Sequence, residues 1–201
     1  MSNAKLVKQL RELSGAGMMD CKRALEEVGG NLEKAMEALR KSGIAKAAKK
    51  AGRSASDGLI FPYIHPGSKL GVLLEINCET DFVANTDDFQ GLAKDVAMHI
   101  AATCPVSVNV EDIPESVISK EREIYAEQAK SSGKPDNIIE KMIDGRMTKF
   151  YKENVLMEQT FVKDPEKSIK DIITENVAKL GENIIITRFS RFSLGETIKP
   201  S

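Results

Sequence analysis

A change of hydrophobic period near Leu59 constrains the fold more than any other feature of this chain. Upstream of it, apolar residues recur at spacings of three and four, the signature of one helical face. Leu6, Val7, Leu10 and Leu13 predict a helix over 3–13, which "SGAGM" at 14–18 breaks with two glycines. Cys21, Ala24, Leu25 and Val28 predict a second helix over 18–28, ended at Gly29-Gly30, where glycine permits a left-handed cap. Asn31 is a suitable N-cap for a third helix, which carries Leu32, Ala35, Met36 and Leu39 on one side and closes at Gly43. Three helices in so few residues bury too little to stand alone, so some surface of the bundle is expected to dock elsewhere.

Downstream the pattern is that of strands and then of both kinds of element. "LIFPYI" and "KLGVLLEINCE" are β-rich runs flanking a hairpin signal at His65-Pro66-Gly67-Ser68. Pro62 cannot donate to a ladder, which places the first run at an edge or a bulge. Phe89, Leu92, Ala93, Val96, Ala97 and Ile100 predict a helix over 87–103, stopped by Cys104-Pro105, with His99 on its flank and off the apolar face. Two helices with solvated, acid-rich faces are expected near 114–131 and 135–152, split by "SSGKP". "LMEQTFVKD" reads as a loop or short extended piece. Pro165 reads as the first turn of a helix that turns Ile169, Ile172, Ile173, Val177 and Leu180 inward and ends at Gly181. "NIIITRFSRFSLG" is a closing strand, and "GETIKPS" a frayed tail. The predicted class is α+β: an N-terminal three-helix module, then a core domain with a three-stranded antiparallel sheet packed by helices.

Charge supports the division. Residues 1–53 hold 12 Lys/Arg against 6 Asp/Glu, while the rest of the chain is acidic and the whole carries a net charge of -1. From Arg40 to Arg53 there are six basic residues and no acid. That run suits either a solvated helical linker or a nucleic-acid-binding arm, and the lack of an interleaved aromatic favours the linker. A hydrophobic share of 41% beside 29% charged residues is that of a folded, soluble protein. No apolar run reaches the roughly 18 residues of a membrane span, and no secretory signal opens the chain. Three cysteines without metal-ligand spacing imply free thiols in a reducing compartment, which points to the cytoplasm.

Candidate catalytic sites are few. Cys78 with a histidine and Asp81 could be drawn as a nucleophilic triad, but Cys78 falls in a strand run where a small buried thiol is commonplace. "SGAGMMDCK" has glycines and a lysine yet follows a helix, not a strand, so it is no phosphate loop. No zinc-like spacing occurs. The expectation is a binding protein and not an enzyme, with no cofactor and no metal. One segment stands out: "EINCETDFVANTDDF", residues 75–89, joins a strand to a helix through a junction too apolar for an ordinary loop. Either Phe82 and Val83 turn inward as the strand ends, or Phe82 projects as an anchor of the kind that dominates small interfaces. Pattern leaves both open.

Resemblance to a known family adds to this reading. "LVKQLRELSGAGMMDCKRALEEVGGNLEKAMEALRKSGIAKAAKKAGRSASDG", "EINCETDFVAN", "AMHIAATCP", "SGKPDNIIEKMIDGRMTKF" and "FVKDPEKSIKDII" resemble bacterial elongation factor Ts, in that family's order and over nearly the whole chain. The match is to the short form, with one core unit after the N-terminal module. The resemblance implies a guanine-nucleotide exchange factor that binds elongation factor Tu in its GDP-bound and nucleotide-free forms. It implies a ubiquitin-associated-like module and basic linker over 1–52 and a core, dimerisation domain over 53–201. The module would touch the partner's nucleotide-binding domain, with Gly15, Gly17, Met18 and Met19 as candidate contacts. Asp81 and Phe82, framed by Thr80 and Val83, would be the wedge whose effect is felt at the partner's magnesium site. It also implies a homodimer along "IIITRFSRF", non-covalent because Ser190 stands where some short members carry a bridging cysteine. No direct contact with nucleic acid or membrane is expected. The alternative function is an adaptor whose three-helix module binds peptides or ubiquitin-like partners.

Overall fold

The computed structural model describes residues 3–130 and 135–196. In chain order the elements are α1 (Asn3–Ser14), α2 (Met18–Glu27), α3 (Leu32–Ala48), β1 (Asp57–Ile64), β2 (Leu70–Cys78), α4 (Asp81–Ala84) and α5 (Asp87–Thr103). They continue with α6 (Glu115–Lys130), α7 (Asp136–Asn154), β3 (Thr160–Phe161), β4 (Asp164–Ser168), α8 (Ile169–Leu180) and β5 (Ile185–Ser193). The α+β class and the three-stranded antiparallel sheet are as expected, in the order β1-β2-β5. β1, which carries Pro62, is an edge strand. The "SSGKP" split falls at 131–134 and most of the "GETIKPS" tail at 197–201, both outside the described residues.

The described residues form two compact units. One comprises the chain up to Phe61, Glu75–Ala93 and Asp171–Ile186; the other comprises Pro62–Leu74, Lys94–Lys170 and the chain from Thr187. In the first, α1, α2 and α3 pack together around Leu10, Cys21, Ala24, Leu25 and Ala35, with Leu6, Val7 and Val28 at the margin. Burying Leu10 and Leu25 contributes about 1.5–3 kcal/mol each. Asn31 caps α3 as read from the sequence, its Oδ1 accepting from the Lys34 amide at 3.0 Å. Two expectations are corrected. Leu13 is exposed, and α3 does not close at Gly43 but runs on through "IAKAA" to Ala48. Gly43 sits inside the helix because it lies against α8: a Cβ there would be 3.4 Å from that of Ala178. The expected docking of the bundle is thus onto α8.

The basic run adds polar contacts, those of Arg40 and Lys50 at α8 and its end, the others elsewhere. Arg40 lies 3.9 Å from Asp171, Lys46 pairs with Asp20 at 2.7 Å, Lys50 donates to the Gly181 carbonyl and Arg53 reaches Glu79 at 3.5 Å. Lys41 pairs with Glu37 at 2.8 Å within α3, so five of the six basic side chains have partners within the protein. The hydrogen bond from Lys46 comes first among the causes that hold the Asp20 carboxyl below the usual range.

In the second unit α6 and α7 pack on one another. Segment 159–168, where Pro165 was expected to open a helix, instead forms a small hairpin in which β3 pairs antiparallel with β4, Thr160 opposite Ser168. α8 begins only at Ile169, whose side chain is fully buried. His99, expected on the flank of its helix and off the apolar face, is also fully buried. Its Nδ1 accepts from the Val162 amide at 3.3 Å, so Nε2 carries the proton and donates to Gln159 Oε1 at 2.9 Å. Gln159 also accepts from Thr103 Oγ1 and donates to the Glu153 carbonyl. Burial holds the His99 pKa below its ordinary value, and the ring serves as a neutral joint between α5 and the hairpin.

Candidate functional site

The junction after β2 is a single helical turn that exposes what the sequence could not place. Ala84, the last residue of α4, is buried, and successive helical residues are about 100° apart. Phe82 therefore points about 200° away from Ala84, out of the protein. Its side chain is 82% exposed, and Asp81 beside it is exposed as well. Val83 and Thr80 are half-buried on either side. The turn is closed below by Asn85, whose amide and side chain both donate to the Asp81 carbonyl, at 3.0 and 2.8 Å. Thr86 then bonds the Val83 carbonyl and receives the Phe89 amide, starting α5.

Above the turn the anchoring comes from far away in sequence. Thr80 stands at the N-cap position but does not cap α4 with its side chain. Its hydroxyl donates instead to Glu182 Oε1 at 2.6 Å, while Glu182 Oε2 accepts from the amides of Glu79 and Thr80, both at 3.0 Å. Glu79 returns the contact, accepting from the Asn183 amide at 2.7 Å and facing Arg53. Asn183 Nδ2 donates to the Arg53 carbonyl at 2.8 Å. The Asn183 amide, ahead of the Arg53 charge, holds the Glu79 carboxyl below its ordinary range.

Cys78 is buried and donates to the Thr80 carbonyl at 3.1 Å. Burial pushes its thiol pKa up, which leaves the proton on sulfur and removes the nucleophile a thiol enzyme would need. Among the described residues no group of His, Cys, Asp and Glu is placed to hold a metal. No helix there is long and apolar enough to cross a membrane.

The second set of candidates lies between α1 and α2. Gly15 takes the left-handed φ of +65° that ends α1, its amide bonding the Arg11 carbonyl. Ser14 Oγ holds the Ala16 amide at 3.2 Å, so Ala16 packs inward and Gly15 and Gly17 stay exposed. Met18 and Met19 open α2 with their side chains 56% and 71% exposed. A Cβ added at Gly15 would lie 3.7 Å from the side chain of Lys179, whose Nζ pairs with Asp88 at the start of α5 at 2.7 Å. Both apolar displays belong to the same compact unit.

The turn thus presents an exposed aromatic ring beside an exposed carboxylate. Comparison with known proteins identifies the family. The family model described as elongation factor TS matches residues 7–196. The chain belongs to the elongation factor Ts family. Among curated relatives, the elongation factor Ts of Carboxydothermus hydrogenoformans is 59% identical over 196 residues, covering 98% of this chain and 90% of that one. That of Thermosipho melanesiensis is 57% identical over 196 residues, 98% of this chain and all of its own. That of Thermoanaerobacter sp. strain X514 is 55% identical over 201 residues, all of this chain and 98% of its own. Family membership makes the protein a translation elongation factor. Sequence reasoning found the apolar junction but missed Glu182, the residue that holds it. The only local signal was an acid directly after the glycine that ends α8, opposite nothing that proximity in sequence would suggest.

Proposed function

We propose that the protein is the guanine-nucleotide exchange factor of elongation factor Tu, releasing GDP so that GTP can enter. The observation that carries this reading is Phe82, apolar and 82% exposed on a turn whose backbone is bonded on both sides. In this reading Asp81 and Phe82 are the wedge, framed by Thr80 and Val83, that enters the partner's nucleotide-binding domain. Gly15, Gly17, Met18 and Met19 add a second contact from the ubiquitin-associated-like module, residues 1–52, attached to a core domain over 53–201. A bound nucleotide is gripped by backbone amides around its phosphates and by Mg²⁺, which tolerates little departure from octahedral geometry. Shifting a partner helix by an ångström or so degrades that coordination. The factor needs no catalytic group; it needs an interface free energy that favours the deformed partner.

The test is release of a fluorescent GDP analogue from elongation factor Tu in the cytoplasmic ionic range. Adding this protein should accelerate release; an unchanged rate at saturating protein would reject the reading and favour an adaptor. A non-covalent homodimer is part of the same proposal. Ile64, Leu73, Phe192 and Leu194 leave apolar surface exposed, and β5 is the other edge of its sheet. Light scattering through a dilution series should report a mass near twice 22.1 kDa, and the single-chain mass throughout would remove the dimer.

A further inference from the structure

α4 is too short to fix its own direction. It has one turn and no side-chain cap, because the Thr80 hydroxyl that would ordinarily accept from the turn's first amides faces away from it. The backbone amides of Glu79 and Thr80 leave β2 without a strand partner in the ladder, and an unpaired amide in a half-buried setting is costly. One carboxylate meets all three donors: Glu182 takes two amides on Oε2 and the hydroxyl on Oε1. Three bonds to two oxygens of one planar group leave the Thr80 backbone a single orientation. Thr80 sets the axis on which Asp81 and Phe82 project. Hydrogen bonds to an ionised acceptor are the strong ones, and these come from a loop more than a hundred residues away. The reciprocal set from Glu79 to Asn183 and Arg53 keeps that loop in register and ties it to the end of the N-terminal basic run.

From this geometry we infer that Glu182 is a positioning residue for nucleotide exchange: its carboxylate holds the Thr80–Val83 turn so that Phe82 is presented in one direction. The inference rests on the exchange reading above for its consequence, though not for the clamp itself. Docking through Met18 and Met19 does not pass through Glu182, so loss of the clamp leaves association largely intact and lowers the rate inside the complex. A variant that merely unfolded part of the protein would do the reverse, reducing the active concentration and leaving the saturating rate unchanged.

The experiment has two arms on the full chain. Amide hydrogen exchange by NMR on the free protein should rise about tenfold or more at Glu79 and Thr80 in Glu182→Ala, with α1–α3 unaffected. Release of the GDP analogue at saturating Glu182→Ala should fall about tenfold, with the half-saturating concentration changed by less than about twofold. Glu182→Gln keeps an oxygen for the two amides and offers an amide nitrogen to Thr80 Oγ1, so it should retain most of the rate. Unchanged exchange at Glu79 and Thr80, a loss expressed wholly in half-saturation, or a Gln variant as slow as Ala would each overturn the inference. If the unaltered protein failed to accelerate release, the exchange reading would fall, and the amide arm would still decide the clamp.

Discussion

Phe82→Ala should slow GDP release from elongation factor Tu while leaving the factor folded. The ring contributes little to its own domain, being 82% exposed, so its removal should change stability by no more than about 0.5 kcal/mol. In the proposed complex full burial of such a side chain is worth roughly 1.5–3 kcal/mol, spent on deforming the partner and not on tightening the complex. At about tenfold per 1.4 kcal/mol, that corresponds to a loss of roughly ten- to 150-fold in exchange efficiency. The fluorescent GDP assay measures it, with circular dichroism melting as the control. An unchanged rate from a normally folded Phe82→Ala would remove the ring from the mechanism.

Gly58→Ala should produce the largest loss of stability. Gly58 holds φ +136°, and a Cβ there would lie 2.2 Å from the Ile76 carbonyl oxygen and 2.6 Å from the Asn77 Cα. Both are backbone atoms of the neighbouring strand, so nothing flexible can give way. Backbone strain and overpacking together cost about 3 kcal/mol or more. The damage falls where β1 begins and β2 ends, loosening the bond from Asn77 Nδ2 to the Asp57 carbonyl and shifting the exit toward Glu79. Gly91 in α5 and Gly145 in α7 are the controls, since a Cβ at either meets nothing within 4 Å. Alanine at those helix positions should stabilise by about 0.5–1 kcal/mol. Thermal unfolding of the three variants checks the contrast, and a Gly58→Ala midpoint equal to that of the unaltered protein would contradict it.

Elements whose signal is local were legible in the sequence. The spacing of Cys21, Ala24, Leu25 and Val28 marked α2, Asn31 marked the start of α3, and His65-Pro66-Gly67-Ser68 marked the hairpin between β1 and β2. What failed depended on distant neighbours. Gly43 looks like a helix stop until Ala178 occupies the space its missing side chain leaves. His99 falls off the apolar face of α5, yet Val162 and Gln159 cover that flank and satisfy both ring nitrogens. Pro165 looks like a first helical turn, yet tertiary pairing draws Asp164–Ser168 into a strand instead. At the candidate site the residue types of "TDFVA" were visible, but the direction of Phe82 was not. It follows from the burial of Ala84 two residues on, and the hold on Thr80 comes from Glu182.

Titration calorimetry of this protein against elongation factor Tu, with and without saturating GDP and Mg²⁺, reaches the competition between docking and nucleotide retention most directly. Linkage requires that nucleotide weaken the factor by the same ratio as the factor weakens nucleotide. The affinity should therefore drop in the presence of GDP and Mg²⁺, by the ratio of GDP affinities measured with and without the factor. Equal affinities under the two conditions would mean that docking leaves the nucleotide site undisturbed.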